Sequence, residues 1–212
     1  MAVNYNIYIA LILLMMSAVA CSTADPKTIR VVTWSDAPPT YERVKVEYYI
    51  IDDSDSTLHG PMKKYDSQGR LLSVENFSFG VKHGRYQTYW SNGHLQAEGM
   101  IDQGAYVGIH KEYSKNGQIV SEREFRNDRL WSIVGVFDRN GKKLDFGEIV
   151  AGNGFVREFD HDGNVTKQGM YREGLKEGDW EFYFPDGRLQ GVGTYHGGIL
   201  YSTGGHPLGR HY

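Results

Sequence analysis

A unit of 24 residues recurs six times between Gly60 and Tyr201, and each copy carries a turn glycine, at Gly69, Gly93, Gly117, Gly141, Gly163 and Gly187. The steps between them are 24, 24, 24, 22 and 24 residues. A period of this size means one supersecondary unit stacked on copies of itself, because a single unit cannot bury its own apolar face. The fold must therefore be sought within one copy and in how neighbouring copies pair.

Aligning the copies on the turn glycine brings out further columns. An aromatic stands four residues before it in every copy: Tyr65, Tyr89, Tyr113, Phe137, Phe159 and Tyr183. Two residues after it come Leu71, Leu95, Ile119, Lys143, Val165 and Leu189, so only the fourth copy departs. A second glycine follows eleven residues after the turn at Gly80, Gly104, Gly152, Gly174 and Gly198, with Asp128 in the remaining copy. A third column, nine before the turn, reads Gly60, Gly84, Gly108, Ser132, Gly154 and Gly178.

Two runs rich in aromatic and β-branched residues, separated by glycine-marked turns, are the pattern of a β-hairpin. The first turn contains Asn-Gly or Asp-Gly in five copies and Gln68-Gly69 in the first. These pairs favour a two-residue type I′ turn, in which both central residues take positive φ. Such a turn predicts Tyr86 opposite Gly99, Trp180 opposite Gly193, Val156 opposite Gly169 and Val134 opposite Gly147. A large side chain over each glycine restores packing that the glycine lacks. The same register places Trp90, Leu95 and Ile101 on that face in copy two, and Phe182, Phe184, Leu189 and Tyr195 in copy six. The Tyr89 and Tyr183 column then projects from the other face; the alternative, a three-residue turn with a bulge, would shift the register by one and move side chains between faces. In copy four Gly152 and Gly154 are two positions apart where other copies have four, which predicts a tighter hairpin there.

The expected architecture is all-β: an elongated antiparallel β-meander of six stacked hairpin repeats, with twelve strands in one continuous ribbon over residues 60–201. Residues 41–59 include the alternating run Val44–Ile50, read as a capping strand or as half of a degenerate earlier copy. Residues 202–212 are read as a tail. An isolated hairpin is marginal in water, so stability must come from pairing between copies.

Residues 1–20 contain no Lys, Arg, Asp or Glu, and Ile7 to Ala20 is apolar apart from Tyr8 and Ser17. Fourteen residues are short for a membrane span, which needs about 20, and suit the apolar core of an export signal. The sole cysteine, Cys21, follows Ser17-Ala18-Val19-Ala20. Small residues before a cysteine at this position resemble the lipobox of bacterial lipoproteins. That resemblance implies cleavage before Cys21, lipidation there and a tether over residues 21–40, and Ser22 in the next position points to an outer membrane. Ala18 stands where a lipobox usually has Leu, and an uncleaved anchor or an inert buried thiol are the other readings. With one cysteine, no internal disulfide forms.

The net charge of −3 and the absence of a basic cluster give nucleic-acid binding no electrostatic support. No nucleophile elbow, phosphate-binding loop or zinc-protease motif is present, so neither catalysis nor a cofactor is expected. The eight histidines show no metal-ligand spacing.

The string from Tyr171 through Gly174, Gly178, Trp180, Tyr183, Asp186 and Gly187 to Leu189 resembles the MORN repeat variant, or YwqK-type antitoxin repeat. Copy two follows the pattern at Gly84, Tyr89, Asn92, Gly93, Leu95 and Gly99, and copy four departs at Ser132. The resemblance implies an antiparallel meander that acts by binding, while the export signal argues against a cytoplasmic antitoxin. Two functions are weighed. One is an envelope lipoprotein, held to the membrane by its lipid, whose sheet binds an unidentified protein as a scaffold or immunity-type module. The other is a cell-wall or polysaccharide binder, since glycine-aromatic hairpins also look like choline- and glucan-binding modules. The candidate binding surface is Tyr86, Trp90, Trp180, Phe182 and Phe184. Its absence from copies three to five favours the protein partner.

Overall fold

The computed structural model describes residues 26–37, 42–51 and 55–205, so the stretch expected to be an export signal, Cys21 and residues 206–212 lie outside the described residues. The described chain contains strands and turns without helices. The strands are β1 (Thr28–Ala37), β2 (Glu42–Ile51), β3 (Gly60–Tyr65), β4 (Leu71–Ser78), β5 (Val81–Lys82), β6 (Gly84–Tyr89), β7 (Leu95–Asp102) and β8 (Ala105–Tyr113). There follow β9 (Ile119–Arg126), β10 (Arg129–Val136), β11 (Gly147–Val150), β12 (Asn153–Phe159), β13 (Val165–Arg172), β14 (Leu175–Tyr183), β15 (Leu189–His196) and β16 (Ile199–Gly205). All pairings are antiparallel between sequence neighbours, apart from β4 with β6, where the short β5 intervenes.

Two expectations about the ends are corrected. Residues 28–37 form β1 and pair with β2 along its whole length, so half of the stretch read as tether is sheet. β2 is consequently an interior strand between β1 and β3, which fits the second half of an earlier hairpin and not a cap.

The turns differ from the sequence reading in an instructive way. At the Asn-Gly and Asp-Gly turns only the glycine has positive φ, for example Gly93 at +85°. Gly93 N–H donates to Trp90 O at 2.8 Å and Trp90 N–H donates to His94 O at 2.9 Å. That is a type I turn followed by a left-handed glycine, a three-residue loop. The type I′ geometry occurs at the other turn of each copy. There Phe79-Gly80, Gln103-Gly104, Asn127-Asp128, Ala151-Gly152, Glu173-Gly174 and Gly197-Gly198 all have both central φ values positive.

Three of the four predicted pairs are nevertheless found: Tyr86 with Gly99, Val156 with Gly169 and Trp180 with Gly193. A β-bulge explains why. Tyr89 pairs with Leu95 but Thr88 pairs with Ala97, leaving Gln96 unopposed. The bulge absorbs the extra loop residue and restores the register. The same shift recurs in copies one, three, five and six. It also moves Leu95 and Leu189 onto the face of Tyr89 and Tyr183, their partners, and away from Trp90 and Trp180.

The sheet is not one ribbon. β1 to β10 form a ten-stranded sheet, and β11 to β16 form a second, six-stranded one. After the copy-four turn only Phe137 and Lys143 bridge, and Gly147 pairs with Val156 in place of Val134. Lys143 stands where other copies place an apolar residue, and the chain leaves β10 immediately afterwards. Leu144 and Phe146 pack instead against a core of Leu130, Ile133 and Val136 from the first sheet and Ile149 and Val156 from the second.

The missing two residues of copy four are also accounted for. In the other inner copies the strand after the type I′ turn carries two extra residues: Met100 pairs with Val107, but Glu98 pairs with Lys111. β14 repeats this at Gly178, and β10, where Ser132 replaces the glycine, divides it into two single bulges. β16 carries one, since Tyr195 pairs with Leu200 and Thr194 with Ser202. Between β11 and β12 no shift occurs from Val150–Asn153 to Gly147–Val156. The deletion therefore removed a bulge, and the turn at Ala151-Gly152 is no tighter than its counterparts.

A line of backbone hydrogen bonds joins the type I′ turns across the break. Gly104 N–H donates to Lys82 O, Asp128 N–H to Tyr106 O, Gly152 N–H to Trp131 O, Gly174 N–H to Gly152 O and Gly198 N–H to Lys176 O, all at 2.8–3.1 Å. The copies thus remain stacked along this border even where the strand ladder stops.

Candidate functional site

Along the border formed by the other turns, the break opens a cleft. Its two lobes, of about 430 and 490 Å³, share Trp90, Val120 and His161. Trp90 follows β6, and Val120 is the bulge residue of β9, the counterpart of Gln96, which also lines the cleft. Phe137 follows β10, the last strand of the first sheet, while His161 comes from the copy-five turn in the second. Arg139 N–H donates to His161 O at 3.2 Å, and the Arg139 guanidinium pairs with Asp162 at 2.9 Å, so the two turns are fastened across the opening.

Trp90 forms the half-buried centre of the floor. Its indole N–H donates to Tyr113 O at 3.0 Å, and Lys115 Nζ lies 5.6 Å from the ring centroid. Ala97, Val120 and Phe137 extend the apolar surface. Lys115, Arg139 and His161 line one lobe, and Glu112 lines the other, where its carboxylate accepts from the buried Ser121 hydroxyl at 2.7 Å. A fixed aromatic floor with cations at one end is suited to holding an apolar group beside a negative one. Among the described residues, no three His, Cys, Asp or Glu side chains converge in a metal-holding group.

The five aromatic candidates separate. Trp180 is fully buried at 0 % exposure, so it is removed from any contact surface. Its ring covers Gly169, where an added Cβ would lie 2.5 Å from the indole, and its N–H donates to Met170 O at 3.1 Å. Tyr86 belongs to an internal cluster with Tyr106, His110 and Phe125. Tyr86, Trp90, Phe182 and Phe184 remain partly exposed, and of the five only Trp90 lies in the cleft.

His110 is the residue that the sequence reading passed over. It occupies the Trp180 position two residues after the copy-three glycine, and it covers Gly99 as Trp180 covers Gly169. Its Nε2 lies 3.1 and 3.2 Å from the carbonyls of Met100 and Val107, which can only accept, so Nε2 carries the proton. Nδ1 then accepts from the Tyr86 hydroxyl at 3.0 Å. Burial pushes the imidazole below its ordinary pKa and the Tyr86 phenol well above its own. Aligning the residues two after each third-column glycine would have revealed the equivalence.

The opposite face is polar. Tyr113 donates to Glu98 at 2.8 Å, and Arg85 pairs with the same carboxylate. The Arg85 hydrogen bond draws Glu98 below the usual carboxylate range, while burial and then the Glu98 contact push Tyr113 up to about 12. Tyr183 donates instead to Glu181 on its own strand and accepts from Gln168 Nε2 across the ladder at 2.7 Å.

Comparison with known families bears on three of these copies. Residues 82–102, 106–127 and 176–196 match the MORN repeat variant. Each matching segment holds one type I turn with the strands on either side of it. Copies one, four and five fall outside the matched segments, and copy four is where the sheet divides. No curated protein matches the chain.

Proposed function

We propose that the chain is an exported, lipid-anchored, non-catalytic module that binds a protein of the cell envelope in the Trp90 cleft. The observation that carries this reading is the cleft itself. It arises where the repeat is broken, it combines an oriented indole with a cationic rim, and it needs no further chemistry to act. An immunity-type role, in which the partner is a toxin, falls within the same reading. The lipobox-like Ser17–Cys21 supports the anchor, and Ser22 supports the outer membrane.

A photo-crosslinking amino acid at Val120, in cells of the native host, tests the site. The expected product is one protein adduct that Trp90→Ala and Lys115→Glu abolish while the protein stays folded. Retention on purified peptidoglycan that depends on Trp90 would instead establish the polysaccharide reading. Labelling with a fatty-acid analogue checks the anchor, since Cys21→Ala is expected to eliminate both label and membrane fractionation.

A further inference from the structure

The last copy departs from the packing rule that the inner copies obey. Gly99 lies between Tyr86, its partner on the preceding strand, and the His110 ring on the following one. Gly169 lies in the same way between Val156 and the Trp180 ring. Gly193 has its preceding partner, Trp180, but on β16 it faces Thr203. No ring from β16 covers it: Leu200 Cδ1 at 2.9 Å, Phe182 Cε2 at 3.2 Å and Tyr195 Cε2 at 3.6 Å approach where a Cβ would stand, and Leu200 is itself about half exposed. The result is a trough of about 360 Å³ walled by Phe182 and Leu200 and floored by Gly191, Gly193 and Thr203. Phe182 pairs with Gly191, and Gly191 pairs with Gly205, so the floor beside the phenyl ring is almost bare backbone.

β16 is also the terminal strand of its sheet, with no further strand beside it among the described residues. It displays Ile199 at 75 % and Tyr201 at 79 % exposure. An open strand edge offers unpaired backbone groups to an incoming chain. The edge and the trough adjoin.

We propose that β16 and this trough accept an added antiparallel strand from a protein partner, one that carries an aromatic side chain which lies in the trough against Phe182. The inner copies specify the occupant's chemistry: at Gly99 and Gly169 the space above the glycine holds a flat ring from the following strand, and its N–H donates to the carbonyl of the next residue. The surface is independent of the Trp90 cleft.

The probe is a fluorescein-labelled synthetic peptide with the β14 sequence, Leu175 to Tyr183, titrated into the full-length protein and read by anisotropy. The expected result is saturable binding, at least tenfold weaker for the same peptide carrying Trp180→Ala. In the protein, Thr203→Trp supplies a ring from within and is expected to weaken peptide binding at least tenfold, and Thr203→Glu to do the same by placing a charge in the trough. Trp90→Ala in the protein is expected to leave binding unchanged, which separates this surface from the cleft. Equal affinity for both peptides, or indifference to both Thr203 substitutions, would overturn the proposal. Self-association in sedimentation that Thr203→Glu abolishes would overturn it as well, because the occupant would then be a second copy.

Discussion

The glycine-covering rings of the two sheets make a controlled experiment within one chain. Trp180 in the second sheet and His110 in the first occupy the same repeat position, cover equivalent glycines and donate to equivalent carbonyls at 3.1 Å. What differs is the second nitrogen of the imidazole. It requires a donor, which Tyr86 provides, and it gives the first sheet a proton-binding group where the second sheet has hydrocarbon. In these two copies the position holds a ring with one N–H, and the identity of that ring decides whether packing there responds to pH.

The largest test of the comparison is removal of each ring. Trp180→Ala is expected to cost about 3–5 kcal/mol in denaturant unfolding, the range for deleting a buried aromatic. His110→Ala should cost less because the side chain is smaller, and equal costs would mean that the two sites are not equivalent. Next comes the glycine beneath. Gly169→Ala sets a Cβ 2.5 Å from the indole and is expected to cost about 1–3 kcal/mol through forced repacking. Gly99→Ala should behave alike against the imidazole. Smaller still is Gly93→Ala in the type I turn, expected to cost about 1 kcal/mol because φ of +85° strains an L residue while nothing crowds the site. Asn92→Ala should cost less than Gly93→Ala, since Asn92 does not take positive φ; the reverse order would restore the type I′ assignment.

The smallest expected effect depends on pH. Folding lowers the His110 pKa below 6.5, so the unfolded chain binds a proton that the folded chain refuses. Stability from this group is complete above 6.5 and declines as pH falls from there toward the folded value. Thermal melts from pH 7.5 to 5 should show that decline, and His110→Trp should flatten it. An unchanged slope in His110→Trp would assign the dependence to other groups.

Much of this was legible in the residues and some was not, for physical reasons. The columns gave the hairpins and three of four cross-strand pairs. Those pairs hold in the three-residue turn with a bulge, the alternative to type I′, because the extra loop residue and the bulge at Gln96 cancel instead of shifting the register. Leu95 and Leu189 lay inside the cancelled stretch, so their faces came out inverted. The type I′ turns escaped notice because Phe79, Gln103 and Glu173 are unusual residues for positive φ, held there by the ladder on either side. The division of the sheet was foreshadowed by Lys143, Ser132 and the short step, all in copy four, but its consequence was not. Val120, Phe137 and His161 meet only because two sheets pack across that division, and no periodic alignment brings them together. Trp90, an aromatic outside the shared columns, lies in the cleft, whereas Trp180 is buried, because a ring that packs the fold and a ring open to a ligand look alike in one sequence.

Insertion at the turn and insertion at the bulge offset each other inside every regular copy. Each copy accordingly hands its successor the same phase that it received. Such a chain can be lengthened or shortened by recombination between any two copies without disturbing those on either side, provided that the exchange moves whole units. Variation in copy number is then nearly free of cost, and reach becomes the property that selection can adjust most readily.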